Sequence, residues 1–186
     1  MNDTPKHRRP DVAEIDLIGG TEVRQLEVLG YDDRWPAIFA EHRDRLGRAL
    51  HGTPVRIEHI GSTSVPGLAA KPIIDIVVAV ADITAEEDYL DAMLAAGYVL
   101  RVREPGHRLV RTPARDVHVH IYEKDDPAVS TYLLFRDRLR TDADDRALYA
   151  STKEALIEQG FDDMNAYSDA KTDVIAAIMA RARAAL

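Results

Sequence analysis

The sequence contains no cysteine. This absence excludes disulfide bonds, cysteine-ligated zinc and thiol-based catalysis. Apolar runs long enough to cross a bilayer are also missing. The basic residues from Lys6 to Arg9 are followed by Asp11, Glu14 and Asp16, where a signal peptide would need an apolar stretch. We therefore expect a cytoplasmic protein that does not associate with a membrane.

Three common catalytic signatures are absent as well. There is no P-loop, no G-x-G-x-x-G dinucleotide motif and no G-x-S-x-G nucleophile elbow. Kinase, Rossmann and α/β-hydrolase functions are therefore disfavoured.

Basic residues are outnumbered, and the net charge of -8 argues against an extended nucleic-acid surface. A small polyanion could still bind locally, because one short stretch concentrates positive charge: Arg101, Arg103, Arg108, Arg111 and Arg115, with His107. That stretch is either a patch facing a triphosphate or a solvated strand edge.

A chain of 186 residues suits one compact domain with one active cleft. Residues 1–20 mix prolines with charges and end in two glycines, so we predict a flexible N-terminal arm. Residues 21–186 are predicted to form the domain, with a sheet core over 21–126 and a helical extension over 127–186.

The first half of the domain alternates strands with one long helix. Asp32 or Asp33 is expected to cap the helix, with Pro36 in its first turn. The predicted elements are a short strand over 23–29, a helix over 35–50, strands over 55–60 and 73–80, and an intervening turn over 61–71.

The second half contains three strands and then helices. Thr84 with Glu87 resembles a capping box that opens a helix to Ala96, closed by Gly97. Strands are predicted over 98–103, 108–112 and 116–122, and helices near 128–140, 144–159 and 168–184. The order favours an α/β (α+β) fold with a mixed sheet flanked by helices.

One acidic residue interrupts the apolar strand over 73–80. Asp75 demands an explanation there, because a buried carboxylate must be neutralised, hydrogen-bonded or bound to a cation. The turn before it begins with Gly61 and Ser62. A glycine would let a nucleotide phosphate approach the backbone, the Ser62 hydroxyl would donate a hydrogen bond, and Asp75 would hold Mg²⁺ against the triphosphate.

The surrounding string, IEHIGSTSVPGLAAKPIIDI over residues 57–76, closely resembles the central motif of the GrpB-like family, a branch of the nucleotidyltransferase superfamily. The resemblance continues along the chain through Trp35-Pro36, Gly97-Tyr98, His107-Arg108 and later motifs, and leaves out only about the first twenty residues. It implies a nucleotidyltransferase-like fold whose phosphate-binding turn contains Gly61, Ser62, Thr63 and Ser64. The wider superfamily has a second acid two residues after the first, where this chain has Val77.

The missing metal ligand has candidates on the strand over 116–122. Period-two alternation sends His118 and His120 to one face. Together with Asp75 they would form a mixed site suited to Zn²⁺, Mn²⁺ or Fe²⁺ rather than to Mg²⁺ alone. Alternatively, both are half-exposed strand histidines that bond nearby carboxylates. His120 is the preferred catalytic residue of the pair.

Four further residues are candidates with structural alternatives. Glu58 could supply a second metal-binding carboxylate or hold Lys71, or it could form a salt bridge at the sheet edge. Lys71, Arg108 and Arg136 could each bind phosphate, although such residues often form ordinary ion pairs. Two helical pairs at i,i+4 spacing, Tyr149 with Lys153 and Tyr167 with Lys171, are interpreted as packing rather than as cleft residues.

The leading hypothesis is a metal-dependent nucleotidyltransferase that moves a nucleoside monophosphate from an NTP to a small-molecule acceptor. Its catalytic residues would be Asp75 and His120, and its cofactor Mg²⁺ or Mn²⁺, with Zn²⁺ as an alternative. Two other functions stay open: a catalytically inactive nucleotide- or anion-binding module, and a metal-dependent hydrolase that uses the His118/His120 pair. The acceptor, the base preference and the oligomeric state are not defined by the sequence.

Overall fold

The computed structural model describes residues 10–20, 27–159 and 170–186. Its strands are β1 (Asp16–Leu17), β2 (Arg56–Ile60), β3 (Ile74–Val80), β4 (Val99–Glu104), β5 (His107–Arg111) and β6 (Val117–Glu123). Its α-helices are α1 (Trp35–Ala49), α2 (Leu90–Ala95), α3 (Pro127–Thr141), α4 (Ala143–Gln159) and α5 (Thr172–Ala184). The predicted mixed α/β architecture is confirmed.

The six strands form one sheet in the order β1-β4-β5-β6-β3-β2. β3 and β6 pair in parallel, and the other neighbours pair antiparallel. The register places Asp75 beside His118 on β6 and beside Ile60 on β2. Because paired residues point to the same side, the two sheet faces can be assigned along every strand.

Two apolar cores lie on opposite faces of the sheet. The larger core joins the α1 and α2 side to alternate residues of β3 and β6, including Ile76, Val78 and Val119. The smaller core places Ile60 and Val77 against Val129 and Leu133 of α3. The α3 face is therefore the one that carries Asp75, because Asp75 and Val77 are two residues apart on the same strand.

A third cluster attaches the helical extension to the turn between β2 and β3. Val65 and Leu68 of the turn pack with Leu139, Tyr149 and Ile178 from three helices. This cluster brings α4 and α5 beside the turn, whose first residue, Gly61, contacts Asp75.

Two of the predicted caps were wrong. Arg34, not an aspartate, occupies the N-cap position of α1, and Asp32 accepts a hydrogen bond from its backbone N–H at 2.9 Å. Thr84 donates to Asp82 instead of capping a helix, and α2 begins only at Leu90. The Glu86 carboxylate in this segment accepts from Arg103 and Arg108, so tertiary ion pairs replace the local capping box.

The predicted helix end at Gly97 is confirmed. Gly97 has φ +96°, its N–H donates to Leu94, and the Tyr98 N–H donates to Met93. Two such bonds around a left-handed glycine define a Schellman motif.

The described part of the predicted N-terminal arm is paired with the sheet. Residues 16–17 form β1 alongside β4, and Asp11 accepts hydrogen bonds from the Gly106 N–H and the Arg108 guanidinium. Most of the predicted strand over 23–29 lies outside the described residues, but Leu29 forms an isolated bridge with Ala70. In the described ranges, no helix combines the length and apolarity needed to span a bilayer.

Candidate nucleotide and metal site

The turn after β2 begins with a glycine that no other residue could replace without strain. Gly61 has φ +69° and ψ -177°, a backbone region that is essentially restricted to glycine. A Cβ on Gly61 would lie 2.6 Å from Asp75 Oδ2. The Asp75 carboxylate therefore lies directly against the turn backbone, in the place that a side chain would otherwise fill.

We expect Gly61→Ala to lower the free energy of unfolding by about 1–3 kcal/mol from backbone strain, with an added cost from the collision with Asp75. Denaturant titration measures the loss. Gly67→Ala is the matched control, because Gly67 also has a positive φ of +77° but has open space around its Cβ position. Equal losses in the two variants would contradict a specific contact between Gly61 and Asp75.

The three hydroxyls of the turn have different roles. Thr63 Oγ1 donates to the Ile73 carbonyl at 3.1 Å and lies 3.1 Å from His59 Nε2, while Ser64 Oγ donates to the Gly61 carbonyl at 2.6 Å. Both side chains are buried and hold the turn in shape. Ser62 is only partly buried and is the hydroxyl placed to meet a ligand.

The histidines of β6 lie beside Asp75, as the strand alternation predicted. His118 Nδ1 is 3.8 Å and His120 Nε2 is 3.7 Å from Asp75 Oδ1. Two ligand atoms around a tetrahedral ion are separated by about 3.4 Å when bond lengths are near 2.1 Å. Within the described ranges, no three His, Cys, Asp or Glu side chains already enclose an ion. The chemistry of this donor set fits a divalent cation once each histidine nitrogen approaches the carboxylate oxygen by roughly 0.3–0.4 Å.

Another histidine, His107, lies behind His120. His107 Nε2 is 3.2 Å from His120 Nδ1, and the His107 ring stacks on Tyr122 with 4.5 Å between centroids. On its other side, His107 Nδ1 donates to the Glu104 carboxylate. Burial, followed by the neighbouring His120, lowers the pKa of His107. The sequence placed His107 in the arginine-rich stretch and gave no indication of this contact.

Lysines from the helical extension approach the turn from the other side. Lys153 of α4 is 4% exposed, and its Nζ donates to the Ala69 carbonyl and to Ser62 Oγ, the latter at 3.3 Å. Burial, with smaller contributions from the charges of Lys171 and Lys71, lowers the pKa of Lys153 to about 7 against the opposing effect of Glu154. The ammonium groups of Lys171 and Lys71 are therefore within electrostatic reach of Lys153, beside the Gly61–Ser64 turn.

Lys171 interacts electrostatically with both Lys153 and Asp75. Burial lowers its pKa, while the Asp75 carboxylate acts in the opposite direction. The structure thus places Lys171 within electrostatic reach of both Lys153 and Asp75. Tyr167, predicted to pair with Lys171 along a helix, lies outside the described residues.

The packing interpretation of Lys153 overlooked a periodic signal. Tyr149, Lys153 and Leu156 are spaced by four and three residues, and all three are buried. A helix stripe with these spacings faces the interior. A lysine within such a stripe must reach a polar partner or an anion, which the sequence alone could have suggested.

Glu58 and Arg136 form an ion pair with each other. Arg136 Nη1 donates to Glu58 Oε2 at 2.9 Å and to the His59 carbonyl at 3.0 Å. Glu58 also accepts from Arg56. Burial is the largest single influence on the pKa of Glu58 and raises it. The hydrogen bonds and charges of Arg136 and Arg56 together outweigh burial, so the pKa of Glu58 is lowered. These contacts match the sheet-edge salt bridge that the sequence left open as an alternative, and they give Arg136 the role of joining α3 to β2.

Arg108 lies away from the candidate site. It pairs with Ile121, so its side chain is on the sheet face opposite Asp75, where it is 2% exposed. Its guanidinium donates to Glu86 and Asp11. The strand register therefore directs the Arg108 side chain away from Asp75. Arg101 donates hydrogen bonds to the Ile18 and Gly20 carbonyls, and Arg103 donates to the Glu86 carboxylate.

Residues 25–181 match the model of the GrpB protein family. The chain belongs to the GrpB family. A UPF0157 protein of Streptomyces coelicolor is 65% identical over all of this chain and 99% of its own length. The crystal structure of the conserved protein GrpB from Enterococcus faecalis has a TM-score of 0.74 and 33% identity, covering 84% of this chain and 96% of that one.

A similarity to a longer enzyme is also present. A dephospho-CoA kinase of Mycolicibacterium paratuberculosis is 31% identical over 73% of this chain, which spans 40% of that protein. The match therefore concerns less than half of the kinase.

Proposed function

We propose that the chain is a metal-dependent nucleotidyltransferase that moves a nucleoside monophosphate from an NTP to a small-molecule acceptor. The observation that carries the proposal is that acidic and basic side chains lie on opposite sides of one glycine turn. Asp75 with His118 and His120 lies on one side, and the lysine group of Lys153 and its neighbours lies on the other.

Each half of the site suits one part of a bound NTP. A carboxylate with two imidazoles suits a divalent cation such as Mn²⁺ or Zn²⁺, and the carboxylate suits Mg²⁺. Lysine ammonium groups suit the β- and γ-phosphates as point charges. Gly61 lets the Asp75 carboxylate lie against the turn backbone, and Ser62 offers a hydroxyl donor next to Lys153.

The reaction would be an in-line displacement at the α-phosphorus. The acceptor hydroxyl or amine forms the new bond to phosphorus while the bond to the bridging oxygen breaks, and pyrophosphate leaves with that electron pair. A cation held by Asp75 and the two histidines would neutralise the negative charge on the phosphate oxygens while the bond to pyrophosphate breaks. Lys153 and Lys171 would hold the pyrophosphate. The proton that the acceptor loses would pass to solvent water, because His120 would bind the cation through one ring nitrogen and carry a proton on the other.

One observation favours a second candidate function, an inactive nucleotide- or anion-binding module. Val77 is 1% exposed and packs with Ile60, Val129 and Leu133. No second carboxylate can therefore come from that position, and the nearby Glu58 is paired with arginines. A site with one carboxylate could bind a metal nucleotide without transferring it.

The deciding experiment is pyrophosphate release from the four NTPs with Mg²⁺ or Mn²⁺ and a broad panel of hydroxyl and amine acceptors. Acceptor-dependent release supports the transferase. Nucleotide binding by calorimetry without release supports the binding module. Neither binding nor release would end both proposals. In that case, stoichiometric zinc in the purified protein that is lost in His120→Ala would favour a hydrolase.

A further inference from the structure

A row of polar side chains crosses four adjacent strands on the α3 face of the sheet. It begins at Glu104 at the end of β4, continues through His107 on β5 and His120 on β6, and ends at Asp75 on β3. Glu104 and His107 are register partners that flank the two-residue turn between β4 and β5. Their contact is therefore fixed by strand pairing and does not depend on a loop.

The hydrogen-bond directions along this row follow from the chemistry of its first member. An ionised carboxylate can only accept, so the His107 Nδ1 next to Glu104 carries a proton. A neutral imidazole has one donor and one acceptor nitrogen, and burial of His107 favours the neutral ring. His107 Nε2 is then an acceptor, and its partner at 3.2 Å, His120 Nδ1, must donate to it.

This assignment leaves His120 with an unprotonated Nε2. That nitrogen is 3.7 Å from Asp75 Oδ1. A divalent cation placed between this lone pair and the carboxylate oxygen would be attracted to both. The row therefore prepares His120 as a ligand before any metal arrives.

We propose that Glu104 and His107 are positioning residues that hold His120 in its Nδ1–H tautomer and so present the Nε2 lone pair, beside Asp75, to a divalent cation. The proposal deepens the proposed function and rests on it only for the cation. The tautomer itself is a property of the metal-free protein. Neither Glu104 nor His107 needs to touch metal or nucleotide, so both act through His120.

The aromatic contacts allow the nitrogens of His107 to be removed while its ring stays. His107 stacks on Tyr122 with an interplanar angle of 16°, and it stacks on His120 with 5.3 Å between centroids. His107→Phe keeps a ring in this stack but can neither accept from His120 nor donate to Glu104. Glu104→Ala removes the first acceptor at a partly exposed position and is the second variant, with little risk to folding.

The tautomers are measured by long-range ¹H–¹⁵N correlation spectra of histidine-labelled, metal-free protein. In the wild type we expect a protonated Nδ1 and an unprotonated Nε2 for His120, and loss of that preference in His107→Phe and in Glu104→Ala. Glu104→Gln, whose amide oxygen can still accept, should retain it. His42→Phe is the matched control, because His42 is a buried histidine that bonds Tyr98 on the other side of the sheet.

Affinity for Mn²⁺ and Zn²⁺, measured by calorimetry on the same proteins, is the second readout. Loss of a residue that orients a metal-binding histidine weakens metal binding by about 10- to 100-fold, and we expect that loss in His107→Phe but not in His42→Phe. A protonated Nε2 in the wild type, or an unchanged tautomer and metal affinity in His107→Phe, would overturn the proposal. Absence of NTP turnover with the expected tautomer and metal affinities would defeat the transferase function alone.

Discussion

Asp75→Asn is expected to abolish metal-dependent pyrophosphate release while the fold is retained. The amide keeps the shape of the side chain against Gly61 but removes the charge that holds the cation. A catalytic metal ion contributes several kcal/mol of charge stabilisation, and each 1.4 kcal/mol or so corresponds to a tenfold change in rate. We therefore expect a loss of about 10³-fold in kcat/KM, measured by coupled detection of pyrophosphate.

The matched control for this variant is Asp125→Asn. Asp125 is exposed and follows the far end of β6, so the variant makes the same change in charge away from the site. Its turnover should equal that of the wild type. Turnover in Asp75→Asn within a few-fold of wild type would show that Asp75 does not hold the catalytic metal.

Lys153→Met is expected to cause the second large loss, in affinity for polyphosphate. The methionine preserves much of the aliphatic stem that packs near Tyr149, whose ring centroid is 4.9 Å from Lys153 Nζ, but removes the ammonium group. Truncating a buried charged partner costs about 2–5 kcal/mol, which corresponds to about 30-fold or more in Kd. Calorimetry with tripolyphosphate and with NTP measures this loss directly.

The affinity of the wild-type protein for tripolyphosphate should also depend on pH. Lys153 titrates with a pKa of about 7 in the free protein. A bound anion raises that pKa, because the ammonium gains an opposite charge, so binding takes up a proton above pH 7. Affinity should therefore be highest below pH 7 and fall by up to about tenfold per pH unit above it, until the pH reaches the raised pKa of the complex.

Lys124→Met is the matched control for both measurements on Lys153. Lys124 is exposed at the end of β6, away from the turn. The control should keep the affinity and the pH dependence of the wild type. If Lys153→Met bound tripolyphosphate as the wild type does, with the same pH dependence, Lys153 would be a packing residue and the basic half of the site would lose its support.

Most of the sheet could be predicted from the sequence because its signals are local. Continuous apolar residues indicated β3, period-two alternation indicated β6, and glycine ended α2 as predicted. The predictions that failed also relied on patterns of neighbouring residues. The capping box at Thr84 and Glu87 was wrong because neighbouring Glu86 forms ion pairs with arginines from β4 and β5, which are distant in the chain.

The candidate site could also be predicted from the sequence only in part. The side-by-side placement of Asp75, His118 and His120 followed from one acid in an apolar strand and a two-residue alternation. The role of Arg108 could not be predicted, because a shift of one residue in register sends a side chain to the other face of a sheet. Its actual face depends on its pairing with Ile121.

By itself, the sequence determined the family, the glycine turn, the lone acid in an apolar strand and the shared face of the two histidines. These depend on residue type and on spacing within single elements. Only the tertiary structure decided that Lys153 and Lys171 approach the turn, that Arg136 neutralises Glu58, and that Glu104 and His107 lie behind His120. The reason is that these contacts join separate elements, and helix packing and strand register set their distances, which no short-range pattern in the chain encodes.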